Sequence, residues 1–277
     1  MIFPNEVQSE REVALHYNSL DPWYRKLWGE HLHHGFWKSG KETSSEAVEQ
    51  LVELVAEMAQ LKEGEKVCDI GCGYGATARL LAERWKADVT GFSLSERQLA
   101  YARSKGSSVH YQLCDWLKND LPSASFDLAV SIESSEHMPD KEKFFREARR
   151  VLKPGGRLIV CAWLSKEKPK PWEIRHFLEP ICREGRLPSM GSVNDYLELM
   201  RGAGFINPIY RDLSSQVKKT WAICAWRMIK ALGKKEFRHF LFQGKSADRI
   251  FAKTVLRIWG AYQTKSMVYG IFRADKK

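Results

Sequence analysis

Two short segments of this 277-residue chain hold residue types at spacings that can do chemistry. The first is Asp69-Ile70-Gly71-Cys72-Gly73-Tyr74-Gly75, three glycines at alternate positions behind a carboxylate. Glycines at a strand-to-helix turn accept tight backbone geometry and let a ligand approach the main chain. Alone, that cue fits a dinucleotide site as well. Two details shift the reading: Asp69 lies inside the preceding strand, where it can hold a ligand ammonium group, and the spacing is Gly-x-Gly-x-Gly without the longer gap of the dinucleotide fingerprint. A dinucleotide enzyme also needs Asp or Glu about 20 residues on, at the end of the second strand. Here that strand ends Gly91-Phe92-Ser93, and Asp88 begins it. After the third strand, Cys114-Asp115-Trp116 puts a carboxylate and an aromatic where an adenine can be held.

The second segment is Ile132-Glu133-Ser134-Ser135-Glu136-His137-Met138-Pro139-Asp140-Lys141, at the end of the fourth strand. Glu133, Glu136 and His137 are acid–base candidates, and the ordinary pKa of histidine suits a base near neutrality. The competing reading makes Glu136 and His137 caps of the following turn and helix. His31, His33 and His34, close to Trp28 and Trp37, raise the question of a metal site or a stacking surface. Glu30 is the one carboxylate close by and no cysteine is near, so no metal is expected there. Cys68 and Cys72 likewise have no second cysteine pair to complete a zinc site.

These residues are positioned by alternating apolar runs and helical stripes. Val48, Leu51, Val52, Val55, Met58 and Leu61 form one helical face over Ser44–Leu61. Strands are expected at Lys66–Gly71, Asp88–Ser93, Val109–Asp115, Phe126–Glu133 and Arg157–Leu164, the last entered through Pro154-Gly155-Gly156. Helices are expected at Ala76–Trp85, Glu96–Lys105 and Lys141–Leu152. Strict alternation implies a parallel sheet with helices on both faces, and ligands in such sheets bind outside the carboxyl ends of the strands. Both chemical segments fall there. After Leu164 come a polar linker, Lys166–Pro171, a Trp- and Phe-rich helical stretch, and a final strand-like run, Ser266–Phe272.

The chain resembles class I S-adenosylmethionine-dependent methyltransferases, and within them the branch of tocopherol, sterol and cyclopropane-fatty-acid methyltransferases. The resemblance is carried by Trp28–Trp37, the glycine loop, Val89–Ser95 and Ile132–Lys141. It implies an α/β fold: a Rossmann-like seven-stranded sheet with an N-terminal helical lid (1–43), a cofactor-binding core (44–164) and a C-terminal helical cap insertion with the last strands (165–277). It implies S-adenosylmethionine as cofactor. Asp69, Gly71 and Gly73 would surround its methionine part, Ser93 and Gln98 its ribose, and Asp115 with Trp116 its adenine. Tyr17, His34 and Ser131 would complete the set. Ser93 departs from the acidic residue that many class I relatives carry at this point. Tyr17, Tyr24 and His33–Trp37 would form the lid, whose aromatic faces attract a sulfonium and exclude water. Trp28 and Phe36 fit plain core packing equally well.

Charge is unevenly spread. Residues 1–164 hold 21 Lys and Arg against 24 Asp and Glu, and residues 165–277 hold 23 against 10. The basic C-terminal part suits an anionic ligand, an acidic membrane surface or nucleic acid, or is simply a solvated face. Its many aromatic residues fit an acceptor pocket for a small lipophile. By resemblance the acceptor is a tocopherol-like prenylated phenol methylated on a ring carbon, with N- or O-methylation of another metabolite or methylation of a prenyl diphosphate as alternatives. Nucleic acid is not expected: Glu133-Ser134-Ser135-Glu136 stands where base-amino methyltransferases carry Asn/Asp-Pro-Pro-aromatic, and no RNA-binding module is visible. A non-catalytic nucleoside-binding protein is the other rival. The N-terminus lacks a basic-then-apolar leader, no apolar run spans a bilayer and the six cysteines are scattered, so a cytoplasmic protein able to touch a membrane from its surface is expected.

Overall fold

The computed structural model describes residues 1–4, 30–231 and 246–277. Tyr17, Tyr24 and Trp28 of the expected lid lie outside the described residues, as do Lys234, Lys235, Phe237, Phe240 and Phe242.

Seven strands form one sheet in the order β3-β2-β1-β4-β5-β7-β6. They are β1 Lys66–Ile70, β2 Asp88–Ser93, β3 His110–Leu113, β4 Phe126–Ile132, β5 Leu152–Ser165, β6 Ile206–Asp212 and β7 Met267–Asp275. The first five run parallel, and β7 inserts antiparallel between β5 and β6. The expected seven-stranded α/β sheet is therefore present.

Helix α1 (Ser44–Ala59) begins at a capping box in which Thr43 and Glu46 satisfy each other's backbone amides. Its buried stripe, including Leu51, Val52 and Val55, packs on one sheet face. The opposite face takes α4 (Lys141–Val151) through Phe144, Phe145 and Ala148. Between them, α2 (Ala76–Trp85) and α3 (Glu96–Ser104) follow β1 and β2.

The boundaries differ from expectation where the sheet decides them. Among the described residues strand β3 pairs only with β2 and stops at Leu113, and Asp115 instead caps a short turn at Trp116–Lys118. Strand β5 starts at Leu152 and absorbs Pro154-Gly155-Gly156, because Lys276, just beyond β7, exchanges backbone hydrogen bonds with Gly155 and Gly156. Strand β6 is mostly exposed and carries Pro208, so it lacks the alternation that marks a half-buried strand.

The C-terminal part supplies α5 (residues 171–184, with a π-helical turn at Ile174–Leu178) and α6 (Val193–Gly202) between β5 and β6. Helices α7 (Ser214–Val217), α8 (Lys219–Ala231) and α9 (Ser246–Gln263) are inserted between β6 and β7. Trp221, Ala225, Val255, Ile258 and Tyr262 join the same core as α1, so this helical insertion covers the α1 side of the sheet.

Candidate functional site

A cavity open to solvent lies over the carboxyl ends of β1, β2 and β4, where ligands meet sheets of this kind. The glycine loop makes its floor. Gly71 has φ +79°, and a Cβ there would overlap the Ser134 side chain; Ser134 in turn donates to the Ile70 carbonyl, stitching the loop after β4 to the end of β1. Gly73 also has positive φ, but nothing lies within 4 Å of the place its Cβ would occupy. The first glycine lets two loops touch, and the second leaves space.

Asp69 points into this region. It is 2% exposed, and its Oδ2 has no hydrogen-bond partner among the described residues. Burial pushes its carboxyl up to about 7. An unpartnered buried carboxylate oxygen is costly, and a ligand ammonium group would relieve both the orphaned oxygen and the raised pKa.

Ser93, Ser95 and Gln98 form a lip beside it. Ser93 Oγ donates to Gln98 Oε1 (3.1 Å) and accepts from the Ser95 amide (3.1 Å), while Ser95 caps α3 through the Gln98 amide (3.2 Å). Cys114 and Trp116 line the far end. Trp116 is also core, its indole donating to the Phe144 carbonyl (3.3 Å) beside Phe92. Asp115 stands outside the lining, with one oxygen on the Leu117 amide (3.0 Å) and the other on Lys118 (3.0 Å).

Across the cavity stand Glu30, His31, Leu32 and His33. The His34 carbonyl can only accept, so His33 Nδ1 carries the proton (2.9 Å) and its Nε2 accepts from His31 Nδ1 (3.0 Å). Burial holds both rings below the ordinary histidine range, His31 down to about 3. Two uncharged imidazoles therefore face the cavity and do not repel a cationic ligand. Glu30 fastens this segment to α2 and α3 through Arg79, Lys105 (2.6 Å) and Tyr101 (2.9 Å).

The end of β4 brings the three acid–base candidates into one short stretch but gives them different surroundings. Glu133 lines the cavity at a positive φ of 54°. Its Oε1 accepts from the His34 amide (2.7 Å), His34 Nδ1 (2.9 Å) and the Tyr269 hydroxyl (2.8 Å). Burial alone would raise this carboxyl, but attraction to the His34 ring and the hydrogen bonds from His34 outweigh it and hold Glu133 below its ordinary value. The Trp221 indole can only donate, so His34 Nε2 accepts from it and Nδ1 keeps its proton toward Glu133. Tyr262 (3.0 Å) reaches the same nitrogen. His34 is thus a buried strut behind the wall, not part of the lining.

Glu136 also sits behind the wall. It accepts from the Trp163 amide (2.8 Å) and Ser135 Oγ (3.1 Å), and burial, with the nearby Glu133 charge, pushes it up to about 8. Ser131 is fully buried against Ser134 (2.7 Å), again outside the lining. His137 lines the cavity next to Met138 and donates from Nδ1 to the Arg186 carbonyl (3.4 Å). The supports Trp221, Tyr262 and Tyr269 were not singled out for this site in the sequence. They lie 187, 228 and 136 residues from the groups they hold, so no local spacing announces them.

Comparison with known proteins shows the family and the fold. Residues 68–160 match a family model described as a methyltransferase domain. Chloroplastic tocopherol O-methyltransferase of Arabidopsis thaliana is 34% identical over 233 residues, covering 76% of this chain and 67% of that one. The 27-O-demethylrifamycin SV methyltransferase of Amycolatopsis mediterranei is 33% identical over 223 residues, covering 78% and 81%. The solved structure of the cyclopropane synthase MmaA2 from Mycobacterium tuberculosis shares the fold, with a TM-score of 0.84 at 21% identity over 98% of this chain and 100% of that one.

Proposed function

The chain belongs to the S-adenosylmethionine-dependent methyltransferases, and on that premise we propose that it methylates a small lipophilic acceptor, a ring carbon of a tocopherol-like prenylated phenol. The observation that carries the acceptor class is the wall at the end of β4. Ile132 and Met138 line the cavity beside Glu133 and His137, an apolar surface with one reactive polar end. Residues 1–43 act as lid, 44–164 as cofactor core and 165–277 as acceptor cap with the last strands.

S-adenosylmethionine, when bound, supplies a methyl carbon activated by its sulfonium. Asp69 takes its ammonium group, the main chain at Gly71 and Gly73 gives it room, and Ser93 with Gln98 takes the ribose hydroxyls. Cys114 and Trp116 hold the adenine, with Asp115 at the rim. His34 and Ser131 support this site from behind the wall, and Tyr17 belongs to it by resemblance only. Positioning supplies much of the acceleration in a displacement at an already activated carbon. Removing the phenol proton makes the ring more nucleophilic, and after methylation the hydrogen on the methylated carbon leaves as a proton while the oxygen regains one, so the step needs a base. Glu133, held below its ordinary pKa, is a weak base and serves as a fixed negative charge beside the sulfonium. Glu136 does not reach the cavity and serves as a structural tie. His137 is the base.

The test is a radiolabelled methyl-transfer assay on prenylated phenols, prenyl diphosphates and RNA fragments, with the methylated position identified by NMR. Activity on RNA alone would sink the acceptor class. The names of the tocopherol and rifamycin relatives favour a second reading, O-methylation of the same hydroxyl, and the position of the label separates the two.

The approach to a lipid surface belongs to the same proposal. Among the described residues no helix is long and apolar enough to cross a membrane. Trp226 (56% exposed) and Ile229 on α8, and Leu256 and Trp259 on α9, nevertheless present apolar side chains outward, with Lys230 over the Trp226 ring. Lys218, Arg227 and Lys230 are exposed, Arg227 with a hydrogen bond to Ser44, while Lys219 turns back onto Gly40. An amphipathic face of this kind lies on anionic lipid without spanning it. The six cysteines are unpaired, which fits a reducing compartment such as the cytoplasm.

A further inference from the structure

The loop that carries His137 is closed by a residue that no step above uses. Lys141 opens α4, yet it is only 4% exposed, a burial that lysine tolerates when its charge is fully hydrogen-bonded. Its Nζ donates to the Glu136 carbonyl (3.2 Å), the Met138 carbonyl (3.2 Å) and Ser189 Oγ (3.0 Å). An ammonium has three N–H bonds, and each has an acceptor. The two carbonyls belong to the residues on either side of His137. Ser189 belongs to the same 186–190 segment as Arg186, whose carbonyl takes the His137 Nδ1 proton. One buried cation therefore spans both the loop that bears the histidine and the segment that orients its ring.

We propose that Lys141 is a positioning residue for methyl transfer: its ammonium pins the peptides flanking His137 to the 186–190 segment, so that His137 keeps its proton on Nδ1 and presents Nε2 as the basic nitrogen. The functional part of this inference rests on the assignment of His137 as base; the positional part rests on the three hydrogen bonds.

The clamp is sensitive to pH. Among the described residues no carboxylate is bonded to Nζ, and the charged or titratable groups facing it are the Glu136 carboxyl, whose oxygens are taken by Trp163 and Ser135, and the Cys182 thiol of α5. Burial lowers Lys141 to about 8 against the opposing pull of those two groups. A neutral amine keeps two N–H bonds and brings a lone pair, so one of the three oxygens loses its donor. The stability linkage has the opposite sign. Between about 8 and the ordinary lysine value the unfolded chain binds more protons, so this group makes folding more favourable as pH rises there. Loss of order at His137 above pH 8 would thus not be unfolding driven by Lys141.

The experiment is side-chain NMR of histidine-labelled protein saturated with S-adenosylhomocysteine, with His137→Ala identifying one signal among the eight histidines. It needs no acceptor. The wild-type His137 ring should show a single Nδ1–H tautomer that begins to average as pH passes about 8, and Lys141→Met should show averaging throughout. With an acceptor from the assay panel, Lys141→Met should slow single-turnover methyl transfer about 10-fold, in line with the cost of small misplacements, and shift cofactor Kd by less than about 2-fold. It should add nothing in a His137→Ala background. An unchanged His137 spectrum and pH profile in Lys141→Met overturns the proposal, as does an equal slowing in the presence and absence of His137. If His137→Ala methylates at the wild-type rate, the base assignment falls and takes the functional part with it, while the NMR still decides the positional part. Lys141→Gln carries the same test if the methionine variant does not fold.

Discussion

The two ends of the cavity are built differently. At the β1–β2 end the site is mostly main chain and short side chains drawn from Asp69 to Gln98, one strand-turn-helix unit and the strand after it. At the β4 end the wall is held from afar: Glu133 by His34 and Tyr269, and His34 by Trp221 and Tyr262. The first end offers an open binding surface with one orphaned oxygen, Asp69 Oδ2. The second is saturated with internal hydrogen bonds. The difference teaches that substitutions at the first end should act on ligand affinity, and those at the second on stability and rate.

The largest effect expected is at Asp69. If Asp69 takes the cofactor's ammonium group as proposed, replacing it with Ala should weaken binding by about 3 kcal/mol, or about 100-fold, with little change in melting temperature. Titration calorimetry on protein freed of copurified ligand measures this, and unaltered affinity would break the comparison at its first end.

Glu133→Gln should show the reverse pattern. It disturbs an oxygen that takes three donors, so unfolding should become easier by about 2 kcal/mol and single-turnover methyl transfer slower by about 10-fold, with the Kd of the uncharged-sulfur product S-adenosylhomocysteine almost unchanged. Because the folded-state pKa of Glu133 is lowered, its stabilising contribution is present above the ordinary carboxylate value and lost as pH falls below it. The gap between variant and wild type should therefore close in acid. Denaturant melts at a series of pH values measure both.

Glu136 tests the same wall with the opposite sign. Its pKa is raised to about 8, so its contribution is complete below the ordinary carboxylate range and is lost as pH climbs from there through about 8. Glu136→Gln mimics the protonated form. It should match wild type near pH 4, and exceed it increasingly as pH rises, by up to about 4–5 kcal/mol above pH 8. A variant less stable than wild type at high pH would show that Glu136 works as a charge after all.

The smallest effect is expected at the outer face of the insertion. Trp226→Ser with Ile229→Ser should reduce flotation with anionic liposomes a few-fold at low salt, about 1 kcal/mol, with methylation of a detergent-dispersed acceptor unchanged. Equal flotation of variant and wild type would make this face an ordinary solvated surface.

Some of this was legible in residues alone and some was not. The β1–β5 alternation, the glycine loop and the cluster at the end of β4 could be read because each depends on neighbours in the chain: side-chain periodicity, turn chemistry and the rule that ligands meet strand ends. Asp115 shows the limit, since the same residue that reads as an adenine contact folds its carboxylate onto Leu117 and Lys118. Strand β6 shows another: Pro208 and an exposed edge leave no pattern to read.

The sequence by itself thus determined the sheet, because local periodicity and backbone stereochemistry are written in consecutive positions, and its resemblance to a family implied the cofactor. Tertiary structure alone decided what each acid–base candidate does there. Glu133 and Glu136 stand three positions apart with the same side chain, yet one lines the cavity with its pKa lowered and the other lies behind the wall raised to about 8. The physical reason is that a carboxyl group's charge depends on the solvent and donors around it, and here the donors to Glu133 come from His34 and Tyr269, which only the tertiary fold brings within reach.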